Sequence, residues 1–176
     1  AGAVLGAGYP LNTQAFVARD GGAAQAGGLI DALDHHGATL GAVSVSGNVR
    51  RRAPYAGLIP EWGHIAPCYC YRCPLGLAYP DCRVACADEL EKLIAQVGAE
   101  NVAAFIFEPI VGATLGAAVP PEGYLQRIAE ICRRHGSLLI ADEVQTGFGR
   151  TGHLFACEGL GVVPDLITMA KAMGIS

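Results

Sequence analysis

Two apolar runs, each closed by acid, limit what this chain can fold into. Val102-Ala103-Ala104-Phe105-Ile106-Phe107 contains no polar residue and runs directly into Glu108. Ser137-Leu138-Leu139-Ile140-Ala141 does the same and runs into Asp142-Glu143. A strand that is apolar at successive positions has to be covered on both faces, and that is the condition of a parallel sheet. The segments between such strands then have to be crossovers. Two helical patterns are found where crossovers are required. One starts at Asp88 with Glu91 in a capping-box-like arrangement, sets Leu90, Leu93, Ile94 and Val97 on one face, and stops at Gly98. The other follows Pro120-Pro121, sets Leu125, Ile128, Ala129 and Cys132 on one face, and stops at Gly136. A further strand is expected over Asp165 to Ala170, ending at Lys171. Helix, strand, helix, strand, loop, strand is the order of an α/β domain with a mainly parallel sheet.

The N-terminal part is less patterned. Residues 1–34 are rich in Ala and Gly, with Gly21-Gly22 and Gly27-Gly28 as punctuation, and are read as unassigned loop or poorly ordered chain. Ala42-Val43-Ser44-Val45-Ser46 alternates like a short strand. Residues 61–86 hold Trp62, His64, Pro67, Pro74 and Pro80, and five of the seven cysteines, so a long structured loop is expected there.

Composition removes several function classes. At 176 residues, 52% hydrophobic and only 16% charged, the chain has the material for a core and lacks the signature of disorder. A net charge of -4 leaves no footprint for nucleic acid, and Arg50-Arg51-Arg52 is too short to alter that. Every apolar stretch is interrupted before bilayer-spanning length, so no membrane partner is expected. The apolar start lacks a basic n-region, which argues against a signal peptide and for a cytoplasmic protein. The chain begins at Ala1, its only methionines are Met169 and Met173, and it stops at Ser176 just after a dense motif. A piece of a longer protein is the expectation.

Parallel α/β sheets bind ligands beyond the carboxyl ends of their strands. Glu108, Asp142 and Lys171 all stand at such ends. Polarity resumes wherever a strand meets water, so one such residue carries little weight. An amine and two acids at neighbouring strand ends lie across one crevice. Of two lysines, Lys92 belongs on a solvated helix face, whereas Lys171 stands among Thr168, Met169, Ala170, Ala172 and Met173. Desolvation disfavours the ammonium form and makes such a lysine nucleophilic.

The segment from Leu138 through Asp142-Glu143-Val144-Gln145-Thr146-Gly147-Phe148-Gly149-Arg150-Thr151-Gly152, followed by Pro164-Asp165-Leu166-Ile167-Thr168-Met169-Ala170-Lys171, resembles the pyridoxal-phosphate site of class III aminotransferases. Phe105 to Ile110, Pro120 to Tyr124 and His36 to Gly41 also resemble that family, so the likeness covers residues 35–176. It implies an incomplete three-layer large domain of the PLP-dependent transferase type over 35–176. It also implies a homodimer that moves an amino group between an amine or amino acid and a keto acid.

Carried over residue by residue, the resemblance makes Lys171 the Schiff-base lysine and proton carrier. Asp142 becomes the partner of the pyridine nitrogen, which keeps the ring an electron sink. Val144, on the same side of an extended segment as Asp142, packs on one ring face. Gln145 donates to the phenolic oxygen, and His35 takes the stacking place usually held by Tyr or Phe. Glu108 belongs to the same cofactor-binding set.

Departures from the family pattern carry information too. Residues 1–34 hold no recognisable Gly-Ser-rich phosphate turn, and the threonine that completes that site from the other subunit lies beyond Lys171. Ala113 stands where many members carry a second glutamate, which favours amine or ω-amino-acid donors over the dual-carboxylate switch.

Two other motifs need weighing. Gly147 to Gly152 matches G-x-G-x-x-G, but it is remote from a strand–helix junction and lacks the acid further on, so a loop is expected and not a dinucleotide site. Cys70-x2-Cys73 and Cys82-x3-Cys86 approach structural-zinc spacing, with Cys68 spare. The alternative function is therefore an inactive fragment stabilised by zinc at Cys70, Cys73, Cys82 and Cys86; otherwise these cysteines pack as small hydrophobes. His64 is read as a surface histidine, Cys132 as part of a helix face, and Cys157 as part of a loop.

Overall fold

The computed structural model describes the backbone of residues 15–18 and residues 40–48, 52–59, 63–112 and 115–174. His35, His36, Trp62, Ala113 and the Arg50-Arg51 pair lie outside the described residues. So does most of the segment 1–34.

In chain order the elements are β1 (Ala15–Ala18), α1 (Leu40–Val45), β2 (Gly63–His64), α2 (Asp88–Val97), β3 (Val102–Phe107), α3 (Tyr124–His135), β4 (Leu138–Asp142), α4 (Ala156–Gly159) and β5 (Leu166–Thr168). The sheet order is β2-β1-β3-β4-β5. β3, β4 and β5 are parallel, with Phe107 opposite Ala141 and Asp142 opposite Thr168. β1 pairs antiparallel with both β2 and β3, so an antiparallel margin extends the parallel part.

The two apolar runs are buried strands, and their two faces do different jobs. Phe105, Phe107, Leu139 and Ala141 join Leu90, Ile94, Tyr124, Ile128 and Ile131 in one core, with α2 and α3 as the covering layer. Ala104, Ile106 and Ile140 occupy the alternate positions and are also fully buried. Burying a side chain such as Ile128 or Ile131 contributes about 1.5–3 kcal/mol against leaving it exposed. α3 ends at Gly136, whose φ of +70° is the left-handed turn a helix stop of this kind needs. Across the outer surface, Arg134 and His135 reach Glu91, and Arg127 reaches Asp88.

Four expectations change. Ala42–Ser46 is not a strand: α1 buries Ala42, Ser44 and Val45, and the Ser44 hydroxyl donates to the Gly41 carbonyl, a contact of the helical turn. Asp88 does not cap α2. The helix starts at Asp88 itself, with no side-chain cap, and the carboxylate accepts from Arg127 Nε at 2.8 Å. Val97 is 40% exposed because the last turn of α2 runs past the core. Within 1–34, Ala15–Ala18 forms β1, where only loop was expected. The described part of the 61–86 segment, residues 63–86, is mainly turns and loop, as expected, with a short 3-10 turn at Cys70–Arg72 and β2.

Candidate functional site at the carboxyl edge of the parallel strands

Side-chain alternation decides which strand-end residues share a face. Phe107 and Ala141 point toward α2 and α3, so Glu108 and Asp142, one step further on paired strands, belong to the opposite face. Asp142 is 3% exposed and stands in register with Thr168. Lys171 lies three residues beyond Thr168, after extended Ala170, and begins a 3-10 turn, Lys171–Met173. Its φ of +46° is a left-handed conformation that disfavours an ordinary residue by roughly 1–2 kcal/mol. Such a residue persists when its surroundings over-determine it, and these residues cluster at functional sites.

The three groups sense one another electrostatically. Burial pushes the Glu108 carboxyl up to about 7; the Gly112 N–H, donated at 2.5 Å, and the Lys171 charge oppose the shift, and Asp142 adds to it. Desolvation holds the Lys171 amine below its ordinary range, against the pull of Asp142 and Glu108 and with help from Arg150. That direction agrees with the sequence argument, although Lys171 is exposed in this chain and not enclosed.

The chain does not stay extended after Asp142. The Val144 N–H donates to Asp142 Oδ1 at 3.0 Å, and residues 144–151 turn. Val144 therefore does not continue the face of Asp142 as an extended segment would: the carboxylate two residues back bends the chain. Val144 is nonetheless buried, and Gln145 is half-buried beside Gly112, close to the Glu108 carboxyl. The Gly147–Gly152 motif lies within this turn segment and opens no long helix, as the loop reading requires. Arg150 is exposed.

The cysteines behave differently from a metal centre. Cys68, Cys70, Cys73, Cys82 and Cys86 line one small cavity of the 67–86 segment. Cys68 and Cys86, however, turn into the core, while Cys70 is exposed. Among the described residues no group of three or more His, Cys, Asp and Glu is arranged to hold a metal ion. The zinc assignment to Cys70, Cys73, Cys82 and Cys86 is thus withdrawn: the thiols divide between core and solvent. Cys157 lies in α4 and is buried, not on a loop, and His64 is a half-buried member of β2, its ring nitrogen 3.4 Å from the Val45 carbonyl oxygen.

Two residues escaped the sequence reading. Gly112 supplies the backbone donor to Glu108, and an added Cβ there would sit 3.2 Å from Gln145 Cγ. Glu143, named in the sequence only as part of the acid pair that closes the apolar run, is fully buried and accepts from Thr146 and from the α4 amides. The signal was available: neighbouring acids on a strand face opposite ways, so Asp142 and Glu143 could not both reach the crevice.

The profile of the class-III aminotransferases matches residues 30–175, and the chain belongs to that family. It is 42% identical over 140 residues to the uncharacterized aminotransferase YodT of Bacillus subtilis, covering 80% of this chain and 31% of YodT. Among solved structures it is similar to an (S)-enantioselective omega-transaminase from Thermomicrobium roseum, with TM-score 0.71 and 41% identity over 80% of this chain and 31% of that one. It is also similar to an amine transaminase from an uncultivated Pseudomonas species, solved in its PLP-bound form, with TM-score 0.71 and 42% identity over 79% of this chain and 31% of that one. The chain thus spans about a third of the length of the relatives it matches. Among the described residues, no helix is long and apolar enough to cross a membrane.

The residues at the strand ends suit pyridoxal phosphate, the cofactor of that PLP-bound relative. A partly desolvated amine lies near two carboxyl groups, and the Thr168 hydroxyl, the register neighbour of Asp142, is buried with no hydrogen-bond partner among the described residues.

Proposed function

We propose that the protein carrying these residues is a PLP-dependent aminotransferase that moves an amino group between an amine or ω-amino acid and a keto acid. The observation that carries this reading is the convergence of Glu108, Asp142 and Lys171 at the carboxyl edge of β3, β4 and β5, on the face away from α2 and α3. When bound, pyridoxal phosphate supplies an electron-poor ring that accepts the electron pair released at the amino-bearing carbon.

The chain's own groups do the rest. Lys171 Nζ bonds the cofactor and carries the proton to and from that carbon; its lowered basicity suits both tasks. Asp142 pairs with the protonated ring nitrogen, its Oδ1 oriented by the Val144 N–H. On the family resemblance, Gln145 would donate its amide to the phenolic oxygen and the buried Val144 side chain would lie against one ring face. Glu108 shares the crevice with them, and the family resemblance would put His35, which lies outside the described residues, on the other ring face. Residues 35–176 form part of the cofactor-binding large domain, Ala15–Ala18 joins its sheet as β1, and the rest of 1–34 stays unassigned.

A homodimer is the assembly we assign, because the family resemblance puts a threonine of the second subunit at the phosphate. A cytoplasmic location goes with this reading. Ala113 and the amine and omega transaminases among the similar structures support the amine or ω-amino donor.

Mixing the purified protein with pyridoxal phosphate tests the reading. A visible absorption band that borohydride fixes to the protein, and that is lost in Lys171→Ala, is expected. A band untouched by that substitution contradicts it.

A further inference from the structure

Asp142 and Glu143 are neighbours with opposite destinations. Asp142 belongs to the crevice face. Glu143 passes to the side of the core, where it is fully buried. An unsatisfied carboxyl group in such a place would be destabilising by several kcal/mol. Here it is surrounded by donors: the Thr146 hydroxyl, the Ala156 N–H at 3.1 Å and the Cys157 N–H at 2.8 Å. The Cys157 thiol, pushed up first by burial, also bonds to it. The backbone of Glu143 is equally committed. Its N–H donates to the Thr168 carbonyl at 3.0 Å, and its carbonyl accepts the Gly147 N–H at 2.8 Å.

One residue therefore fastens four places: the end of β4, the end of β5, the start of the turn segment at Thr146 and Gly147, and its return at Ala156 and Cys157. Val144, Gln145 and Arg150 lie inside the segment so closed, and Lys171 follows three residues after Thr168. A loop closed only for stability needs no buried carboxyl group, since apolar packing does as well. This one holds fixed the backbone on either side of Asp142 and Gln145.

We propose that Glu143 is a positioning residue for the cofactor site: without touching the cofactor, it sets the aim of Asp142 and Gln145 relative to Lys171. The proposal rests on the aminotransferase reading. In Glu143→Gln the side chain keeps its shape, but one oxygen becomes an NH2 group. Whichever way the amide turns, an N–H of Ala156 or Cys157 loses its acceptor. Thr146→Val removes one donor and leaves the carboxyl group in place, while Thr146→Ser keeps the hydroxyl.

The test compares these variants with the unmodified protein at temperatures where circular dichroism shows all of them folded. Three quantities are measured: pyridoxal-phosphate affinity, the pH midpoint of the borohydride-fixable absorption band, and hydrogen exchange of residues 144–155 without cofactor. Glu143→Gln is expected to weaken affinity about tenfold, move the pH midpoint and speed exchange. Thr146→Val should act in the same direction by a smaller factor, and Thr146→Ser should match the unmodified protein. Should Glu143→Gln fail to fold, the Thr146 pair decides. Variants that melt earlier yet keep the same affinity and pH midpoint would overturn the positioning role alone. An unmodified protein with no band at all overturns the aminotransferase reading, and this role with it.

Discussion

Asp142 and Thr168 stand opposite each other in the parallel pair of β4 and β5, and the next amide, that of Glu143, donates to the Thr168 carbonyl at 3.0 Å. The strand that delivers the acid and the strand that leads to the lysine are thus tied at their last residues. Chemistry at a sheet's carboxyl edge needs side chains from separate strands held at fixed spacing, and main-chain hydrogen bonds are the stiffest means available.

Glu108 should make stability depend on pH. Its carboxyl titrates at about 7 in the folded chain, against an ordinary 4.5. The folded state therefore holds the proton more tightly than the unfolded chain does. The contribution is fully present below about 4.5 and is lost as pH rises through about 7. Urea midpoints at pH 5 and pH 8 should show the unmodified protein losing stability and Glu108→Gln losing less. Identical slopes would refute the assignment.

Gly147→Ala should open the turn beyond Asp142. An added Cβ would lie 2.8 Å from the Glu143 carbonyl oxygen, and the obstacle is backbone, not a movable side chain. Overpacking of this kind typically removes about 1–3 kcal/mol. Urea denaturation of the variant should show a loss in that range; a change within about 0.5 kcal/mol, the scatter of ordinary surface substitutions, would contradict it.

The cysteines should divide by burial when alkylated. Burial pushes Cys86 and Cys132 up to about 12 and raises Cys157 as well, so their thiolate forms are scarce at neutral pH. Cys70 is exposed. Mass spectrometry after iodoacetamide treatment at pH 7.5 should find Cys70 modified first, with Cys86, Cys132 and Cys157 protected until denaturant is added. Early modification of Cys132 would show that α3 does not pack as described.

What could be read from the sequence depended on how strongly each segment's own pattern demanded one structure. Val102–Phe107 is too apolar to be anything but a covered strand, and the stretch from Pro120-Pro121 to Gly136 carries a helix with both ends marked. Both are found where expected, within the margins of their ends. Ala42–Ser46 misled because a short run of small residues alternates as readily in a helical turn as in a strand. Buried Ala42, Ser44 and Val45 make sense only once α1 is seen. The antiparallel strands β1 and β2 take their place from pairing partners distant in sequence, and nothing local announces them. Within the site, the strand-end residues were legible from their place directly after apolar runs. The bend at Val144 was not, because it comes from a local hydrogen bond to the Asp142 side chain, and the partners of Glu143 were not, because the Ala156 and Cys157 amides lie well along the chain.

The central claim is that Lys171 bonds pyridoxal phosphate. The chain has two lysines, Lys92 on the exposed face of α2 and Lys171 at the end of the parallel strands. Borohydride reduction of the cofactor-treated protein, followed by peptide mapping in a mass spectrometer, locates the modified amine directly. The account predicts the added pyridoxyl mass on the peptide containing Lys171 and none on the peptide containing Lys92. Label on Lys92 alone, or equal label on both, would contradict it.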